Sequence, residues 1–562
     1  MSADLSSRPP QDSATGRWQR HAVVKHLHHF QQHPTSLRDF ADDHGVPKST
    51  LHDWNRRKKA LDCDSKTADF LESPQGLQLL HAIVLAAHLV FSFLGHAGIR
   101  PLTRFLELAG LAPFIATSYG AHQKLADTMA QQILAFEAHV RPPLAAAMPH
   151  RTLTVCQDET FPKSAMCLVA QDPISRFLLA ERFAVQRDAD TWNTLMNEAT
   201  ADLKVTVVQQ ASDEASGLTA HARQQGMHHS PDLFHIVQDV NRATALPLKR
   251  RQDAAEAALA ESEAQTRRHI AEQAAYRTGP RPPGHPPHFH TRIARAQQAE
   301  AAARAALAEA EAHRQARQDA VRGLSSAYHP FDLRSGSAQS TAAVESLLRE
   351  HFDALDGLVA AAELPQRSRK LLAKSHRRLP QMVATVRFFW SRVTARVALE
   401  KWSLCKQLVF FSHLLPAAYL CRVARQAPSA EARHDLEGRA RALVAPLVSD
   451  AERDVAALVE VEALAVECAG WFQRSSSCVE GRNGELALSE HARRGLSEKR
   501  LRALTVVANY AVYDETGTTA AQRFFGQAHA DLFQWLFDHM PLPRRPKQKR
   551  PKLKKQTLLE AA

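Results

Sequence analysis

Cysteine is scarce in this sequence and never occurs in a closely spaced pair. The seven cysteines contain no C-x-x-C spacing: Cys63, Cys156, Cys167, Cys405, Cys421, Cys468 and Cys478. This pattern argues against a zinc site and against a disulfide framework, and it fits a reducing cytosol.

Long apolar runs are also lacking. The first residues contain no apolar signal segment. The longest apolar stretch, residues 82–94, is interrupted by His88 and is shorter than a bilayer-spanning helix requires. We therefore expect a soluble, intracellular protein with no membrane partner.

Acidic residues are outnumbered by basic ones, 59 to 71, which gives a net charge of +12 and favours polyanionic partners. Much of the excess lies in residues 541–555. Such a tail is typical of a disordered phosphate-binding arm, in which Lys547, Lys549 and Arg550 are candidate DNA contacts, although a solubility tail has the same composition.

A chain of 562 residues is too long for one core, and we expect an α+β, α-rich multidomain fold. The predicted segments are a disordered start (1–20), a helix-turn-helix (21–65), a helical region (76–148), an α/β core (151–245 and 470–540), a helical hairpin arm (246–325), a helical insertion (326–469) and the basic tail (541–562).

The helix-turn-helix is predicted from residues 35–57. Leu37 and Phe40 share one helical face, Gly45 starts a turn, and Ser49 opens a second helix with Leu51 and Trp54 inward. An ordinary helical hairpin fits the same pattern. Candidate DNA contacts on the second helix are Lys48, Ser49, Thr50, His52, Asn55, Arg56 and Arg57. Residues 98–116 suggest either a second helix-turn-helix or a plain helical linker.

Residues 151–235 read as three strands, a helix, a strand, a helix and a short extended piece. This is the order of an RNase H-like sheet, although alternating strands and helices suit many α/β folds. Two Ala/Glu/Arg-rich runs, 250–276 and 291–321, flank a Pro/Gly block and predict an antiparallel helical arm, partly coiled coil.

Three acidic segments stand out. Asp158 and Asp213 each lie at the end of a short strand-like run, and Glu480 lies in a polar turn that opens a helix. Neighbouring strands would bring the two aspartates side by side, and a helix would carry the glutamate to them. Carboxylates suit Mg²⁺, and two such ions can activate a hydroxyl and relieve charge at a phosphodiester.

These residues, with Asn483, Gly484 and a long helical insertion before the glutamate, resemble DDE transposases of bacterial insertion sequences. The resemblance implies a transposase that binds the inverted-repeat ends of double-stranded DNA as a homodimer and then cuts and joins these ends. It also implies a location in the bacterial cytoplasm, in association with the nucleoid. It implies Asp158, Asp213 and Glu480 as ligands of two Mg²⁺ ions, which Mn²⁺ can replace. Asp232 is an accessory acid or an alternative ligand, and His235 either contacts a phosphate or packs behind the sheet.

Other residues near these positions are expected to contact DNA or support the fold. Arg482 and Asn483 would position DNA, unless Asn-Gly serves only a turn. The basic residue that the family has after the glutamate is replaced by Leu486, and Arg493, Arg494 or Lys499 are substitutes for it. Glu159 and Glu214 would point to the opposite face from the ligands and act structurally.

Three other functions remain open at the level of sequence. The first is a DNA-binding protein that derives from a transposase and does not cut DNA. The second is a metal-dependent nuclease that never joins strands, and the third is a scaffold built around the helical arm. An intact acidic set argues against the decayed form.

Overall fold

The computed structural model describes residues 18–33, 35–161, 166–281, 283–448, 455–493, 495–542 and 544–546. Within these ranges the protein is mostly helical and contains one five-stranded sheet. A multidomain α+β architecture, as expected from the sequence, is therefore confirmed at this level. The predicted contacts Arg494, Lys547, Lys549 and Arg550 lie outside the described residues, as does the predicted disordered start up to residue 17.

The sheet is mixed and has the strand order β3-β2-β1-β4-β5. Its strands are β1 (Arg151–Thr160), β2 (Met166–Gln171), β3 (Leu178–Ala184), β4 (Val205–Ser212) and β5 (His228–Pro231). Strands β1, β2 and β3 pair antiparallel, whereas β4 runs parallel to β1 and β5 parallel to β4. Helices α8 (Ala189–Thr200) and α9 (Ser216–Gln224) make the connections, so the predicted order of strands and helices is confirmed.

The sheet is covered on both faces because its central strand is apolar on both sides. From β1, Leu153 and Val155 enter the core that contains Trp192 of α8. Cys156 points the other way, into a second core with Val479. This second core is closed by α19 (Ser477–Arg493) and α20 (Glu498–Tyr510), which return to the sheet from the far end of the sequence.

The N-terminal unit has three helices: α1 (Arg20–Gln32), α2 (Leu37–Asp43) and α3 (Lys48–Lys59). A small core of Leu27, Phe40, Val46 and Leu51 holds them together. Gly45 turns the chain between α2 and α3 with a φ of 60°, a conformation that glycine adopts without strain. Helix α3 begins at Lys48, one residue before the predicted start.

Four further helices follow this unit: α4 (Ser65–Leu71), α5 (Pro74–Ala87), α6 (Ile99–Leu108) and α7 (Tyr119–Ala147). Helix α5 continues as a π-helical segment, His88–Leu94. Two helical stretches, Pro74–Leu94 and Leu404–Ala424, are long and apolar enough to cross a membrane. Residues 82–94, which by themselves are predicted to be too short to do so, are part of the first stretch, which has 21 residues.

The predicted helical arm is formed by α10 (Leu233–Thr278) and α11 (Phe289–Ala327). Arg304 contacts Glu263, and Arg317 contacts Asn241, so the helices run antiparallel. Helix α10 starts directly after β5 and passes through Pro247. The predicted boundary at residue 246 therefore falls within one continuous helix that joins the sheet to the arm.

The rest of the insertion is helical and has its own aromatic core, which includes Phe331, Phe352, Phe389 and Phe472. Its helices are α12 (Thr341–Ala361), α13 (Gln366–His376), α14 (Leu379–Leu399), α15 (Leu404–Val409), α16 (Leu415–Ala424), α17 (Ala430–Val448) and α18 (Val455–Gly470), with a π-helical segment at Phe410–Leu414. After α20, α21 (Ala520–Phe525) and α22 (Leu532–His539) pack on the sheet side that faces α7.

Candidate functional site

Asp158 lies near the end of the central strand β1, with only 7% of its surface exposed. Its Oδ2 accepts a hydrogen bond of 2.8 Å from Nδ2 of Asn483, on α19. Its Oδ1 accepts another, also 2.8 Å, from the backbone N–H of Glu159. The carboxylate is therefore held in one orientation at the junction between the sheet and α19.

Asp213 follows β4 and is brought beside Asp158 by the pairing of the strands. In the parallel pair β1/β4, Cys156 is opposite Ala211, and each aspartate lies two residues further along its strand direction. Oδ1 of Asp213 accepts a hydrogen bond of 3.0 Å from the backbone N–H of Ala215, just before α9. The two carboxylates thus lie at the same edge of the sheet, as the sequence predicted.

Glu480 lies in the first turn of α19, and its side chain is 38% exposed. Its Oε1 is 3.8 Å from Nε2 of His235, in the first turn of α10. A carboxylate in the first turn of a helix is favoured by the helix dipole. The glutamate therefore reaches the site from a helix that begins at Ser477, 246 positions after β5 ends at Pro231.

The three carboxylates interact electrostatically. Burial raises the pKa of Asp158 to about 7, and the nearby charges of Glu480 and Asp213 add to this effect, while His235 opposes it. Like charges in a partly buried site favour protonation of one of them. A bound cation would remove that repulsion, so the electrostatics of the site fit a positively charged ligand.

Two further atoms support this fit. Asn483 Oδ1 and His235 Nε2 are buried and have no hydrogen-bond partner among the described residues. Carboxylate and amide oxygens are hard ligands of the kind that Mg²⁺ binds, usually with retained water molecules. The residues present at this junction, Asp158, Asp213, Glu480 and Asn483, therefore fit a magnesium site by their chemistry.

The triad is more open than a compact single-ion cage. Within the described ranges, three ligand atoms that all lie within 4.8 Å of one another occur at Asp353, Asp356 and His376, not at the triad. There, His376 Nδ1 already contacts Asp356 Oδ2 at 3.0 Å.

Asp232, predicted as an accessory acid or alternative ligand, is 1% exposed and is fully engaged by other groups. Its Oδ1 accepts a 2.7 Å hydrogen bond from the N–H of Phe234. Its Oδ2 accepts hydrogen bonds from the N–H, at 3.0 Å, and the hydroxyl of Ser476. Asp232 therefore caps α10 and ties the start of α19 to the end of β5, and its oxygens do not face the triad as free ligands.

Arg482, predicted to position DNA, is 6% exposed. Its Nε and Nη2 each donate a 2.8 Å hydrogen bond to the carboxylate of Glu181 in β3, and Thr505 donates to the same carboxylate. Burial alone would lower the pKa of Arg482, but Glu181 more than offsets this and raises it. The guanidinium fixes α19 to the sheet, and its burial and pairing leave it no free face for DNA.

Glu159 and Glu214 point away from the triad, as strand alternation predicts for Glu159. Glu159 contacts Arg187 at 2.9 Å and receives a hydrogen bond from Trp192. Glu214 pairs with Arg378. Of the substitutes for the missing basic residue, Lys499 donates to the carbonyl of Asp127 and Arg493 ends α19, while Leu486 itself is buried against the sheet.

The predicted DNA contacts of α3 lie on the open side of the N-terminal unit. Lys48, Ser49, His52 and Arg56 are exposed, and Thr50, Asn55 and Arg57 are half-buried. Arg56 pairs with Asp53 at 2.9 Å. The carbonyl of Arg544 accepts a hydrogen bond from Ala116, and the guanidinium of Arg545 stacks on Trp54 of α3, 3.7 Å from the ring centre.

Sequence reasoning missed a group of cations at a cavity next to Asp213. Arg187, Arg242, Lys374 and Arg378 line a cavity that also contains Asp213 and His235. The signal for two of them was present in the basic segment 367–378, which the sequence analysis treated only as part of a helical insertion.

One family model matches part of the chain. No curated protein matches the chain. Residues 410–552, which include Glu480 and Asn483 but neither aspartate of the triad, match the model of a family of unknown function (DUF6399).

Proposed function

We propose that this protein is a DDE transposase that binds the ends of a mobile element and cuts and joins DNA with the help of Mg²⁺. The observation that carries the proposal is the convergence of Asp158, Asp213 and Glu480. They come from two neighbouring strand ends and a distant helix, and the charges of Asp213 and Glu480 both act on the buried carboxylate of Asp158.

The sheet supports the proposal independently of the acids. Three antiparallel strands followed by two parallel ones, in the order β3-β2-β1-β4-β5, is the order expected of an RNase H-like core. We propose that residues 151–245 and 470–540 form such a core, interrupted by the helical insertion. The site lies at the carboxyl ends of β1 and β4, where α/β sheets commonly place their reacting groups.

A division of labour among the residues follows. Magnesium, when bound, would activate the attacking hydroxyl and neutralise charge at the phosphate. Asp158, Asp213 and Glu480 supply the oxygens that hold it. Asn483 keeps the Asp158 carboxylate in one orientation through its 2.8 Å hydrogen bond, and Asp232 fixes the start of α19 through Ser476.

The DNA-binding part of the proposal rests on α3. We propose that α1 to α3 form a helix-turn-helix unit and that α3 enters the major groove with its exposed Lys48, Ser49 and His52. The excess of basic residues in the chain suits a partner with a phosphate backbone.

The test uses DNA that carries the sequences flanking the gene, with Mg²⁺ or Mn²⁺. We expect Asp158→Asn, Asp213→Asn and Glu480→Gln each to reduce cleavage by roughly 10²-fold or more while DNA binding persists. Matched controls are Asp190→Asn, on the exposed side of α8, and Glu485→Gln, one turn after Glu480.

The outcomes separate the candidate functions. Normal cleavage by the three variants would remove the catalytic assignment. Binding without cleavage by the unaltered chain would identify a DNA-binding protein with a decayed site. Cleavage without strand joining would identify a nuclease.

A further inference from the structure

A cavity of about 380 Å³ opens directly beside the triad. Asp213 and His235, which belong to the carboxylate site, form part of its wall. Four cations also line it: Arg187 from the loop after β3, Arg242 from α10, Lys374 from α13 and Arg378 from the residues that follow α13. Three further acids, Glu214, Asp232 and Asp239, lie in the same wall, so together with Asp213 the acids equal the cations in number.

Two of these cations share a single carboxylate. Lys374 Nζ is 2.8 Å from Oδ2 of Asp239, and Arg242 Nη1 is 3.8 Å from Oδ1 of the same residue. The side chains of Lys374 and Arg242 remain 51% and 64% exposed. Because exposed ion pairs are weak, both cations can turn to another anion at little cost.

The other two cations are held by the residues that follow the proposed ligands. Glu159, next to Asp158, pairs with Arg187 at 2.9 Å, and Glu214, next to Asp213, pairs with Arg378. The strand ends therefore present a ligand carboxylate toward the triad and, through the next residue, hold a guanidinium at the adjoining cavity. This arrangement places two guanidinium groups, each paired with a glutamate, at the cavity next to the proposed ligands.

We propose that this cavity binds the sugar-phosphate backbone of a DNA strand next to the bond that is cut, with Arg242 and Lys374 as its phosphate contacts. The proposal rests on the proposed function and assigns a substrate-binding role to the insertion, because Lys374 belongs to α13. A volume of about 380 Å³ is near the lower end of ligand-sized cavities, roughly 300–1,000 Å³, and so suits one strand and not a duplex.

The test compares the double variant Arg242→Ala/Lys374→Ala with a matched control, Arg250→Ala/Arg369→Ala. The control removes the same charge from the same two helices, at exposed positions that do not line the cavity. Arg378 is left intact, because its loss would leave Glu214 without its partner.

Two measurements are made on the full chain with DNA from the gene's flanks. In cleavage assays, we expect the double variant to raise the half-saturating DNA concentration by about tenfold, with little change in the maximal rate. The slope of its logarithm against the logarithm of salt concentration should fall by about 1.4, at about 0.7 for each lost single-strand phosphate contact.

The second measurement, ethylation of individual phosphates followed by binding, does not require cleavage. We expect one or two ethylated phosphates to interfere with binding of the unaltered chain and of the control but not of the double variant. This interference in a chain that never cuts would support the cavity while removing the proposed catalysis.

The opposite combination is equally informative. Cleavage that depends on the triad, together with a double variant that behaves as the control does in both measurements, would overturn the cavity proposal and leave the proposed function intact. The cavity proposal would also be overturned if the control variant, like the double variant, showed no interference at any ethylated phosphate. The loss would then reflect net charge.

Discussion

Asn483 donates a 2.8 Å hydrogen bond from its side chain to the carboxylate of Asp158, across 325 positions of the sequence. The other end of the same amide, Oδ1, is buried without a hydrogen-bond partner in the part of the chain that the structure describes. One side chain therefore links the central strand to α19 and leaves an oxygen facing the junction of the three acids.

This hydrogen bond predicts the effect of replacing the side chain of Asn483. Asn483→Ala removes the hydrogen bond that orients Asp158 and the free oxygen, so we expect cleavage to fall by about tenfold with DNA affinity unchanged. Asn483→Asp keeps an oxygen but adds a fourth negative charge, and we expect it to require more Mg²⁺ for half-maximal cleavage. Metal titrations of the two variants check this, and identical profiles for both would contradict it.

The raised pKa of Asp158, about 7, predicts how metal binding depends on pH. A carboxylate binds Mg²⁺ in its ionised form, and about one tenth of the Asp158 side chains are ionised at pH 6. The apparent affinity for Mg²⁺ should therefore rise by about tenfold between pH 6 and pH 8 and level off above. Asp158→Asn should show a much smaller change in a calorimetric titration.

The same shift predicts an effect on stability without any assay of activity. Since the pKa of Asp158 is higher in the folded chain than its ordinary value of 3.8, its contribution to stability is complete below pH 4 and is lost as the pH rises through 7. Asp158→Asn should therefore raise the free energy of unfolding at pH 8, by at most about 4 kcal/mol, and leave it nearly unchanged at pH 4.

Magnesium provides the internal control for this experiment. At pH 8 the ion should raise the melting temperature of the unaltered chain, because it binds only the folded form. It should have little effect on Asp158→Asn. An equal rise for both proteins would show that Mg²⁺ binds elsewhere.

The buried ion pair of Arg482 predicts that removing this side chain lowers the stability of the fold and removes no direct contact with DNA. Its side chain and that of Glu181 are 6% and 0% exposed, so Arg482→Ala leaves a buried carboxylate unpaired, and we expect it to cost about 3–5 kcal/mol in unfolding by denaturant. The double variant Arg482→Met/Glu181→Leu should recover most of this. A weaker affinity for DNA in a stably folded double variant would restore the role in DNA binding that the sequence suggested.

The ion pairs of Glu72 predict that the last described residues stabilise the N-terminal helices. It is 3% exposed and pairs with Arg20 at 2.9 Å and with Arg545, which also covers Trp54 of α3. Burial lowers the pKa of Arg20 to about 10 despite this carboxylate. A chain that ends at residue 540 loses Arg545, so we expect its N-terminal helices to unfold at lower temperature than in the full chain.

A chain that ends at residue 546 separates stability from charge. It keeps Arg545 but lacks the basic residues 547–555, so it should retain its melting temperature while its affinity for DNA weakens and depends less on salt. Equal melting temperatures for the two truncated chains would contradict the role of Arg545.

The sequence predicted the order of the sheet because periodicity and turn residues mark strands and helices locally. It also placed Asp158, Asp213 and Glu480 at element ends, where the structure has them. What local pattern could not predict is pairing over long distances. The burial of Arg482 depends on Glu181, which lies 301 positions away, and a charged residue taken alone is expected on the surface.

The same reason explains the role of Asp232. An acid just after a strand has the position expected of a metal ligand. Asp232 instead caps a helix and binds Ser476, which lies 244 positions away in the sequence. The cations of the cavity could not be predicted from the sequence for the same reason, because α13 reaches Asp213 only through the packing of the insertion on α10.

The bond between Asp232 and Ser476 has a consequence for the architecture as a whole. Leu233 also donates its N–H to the carbonyl of Arg474, so the two points where the chain leaves and rejoins the sheet lie side by side. Everything between them is a loop closed at its base, which evolution can lengthen, trim or exchange while the strand ends stay in register. A graft of a shorter helical segment between these two points would keep the three acids together and change only the surface around them.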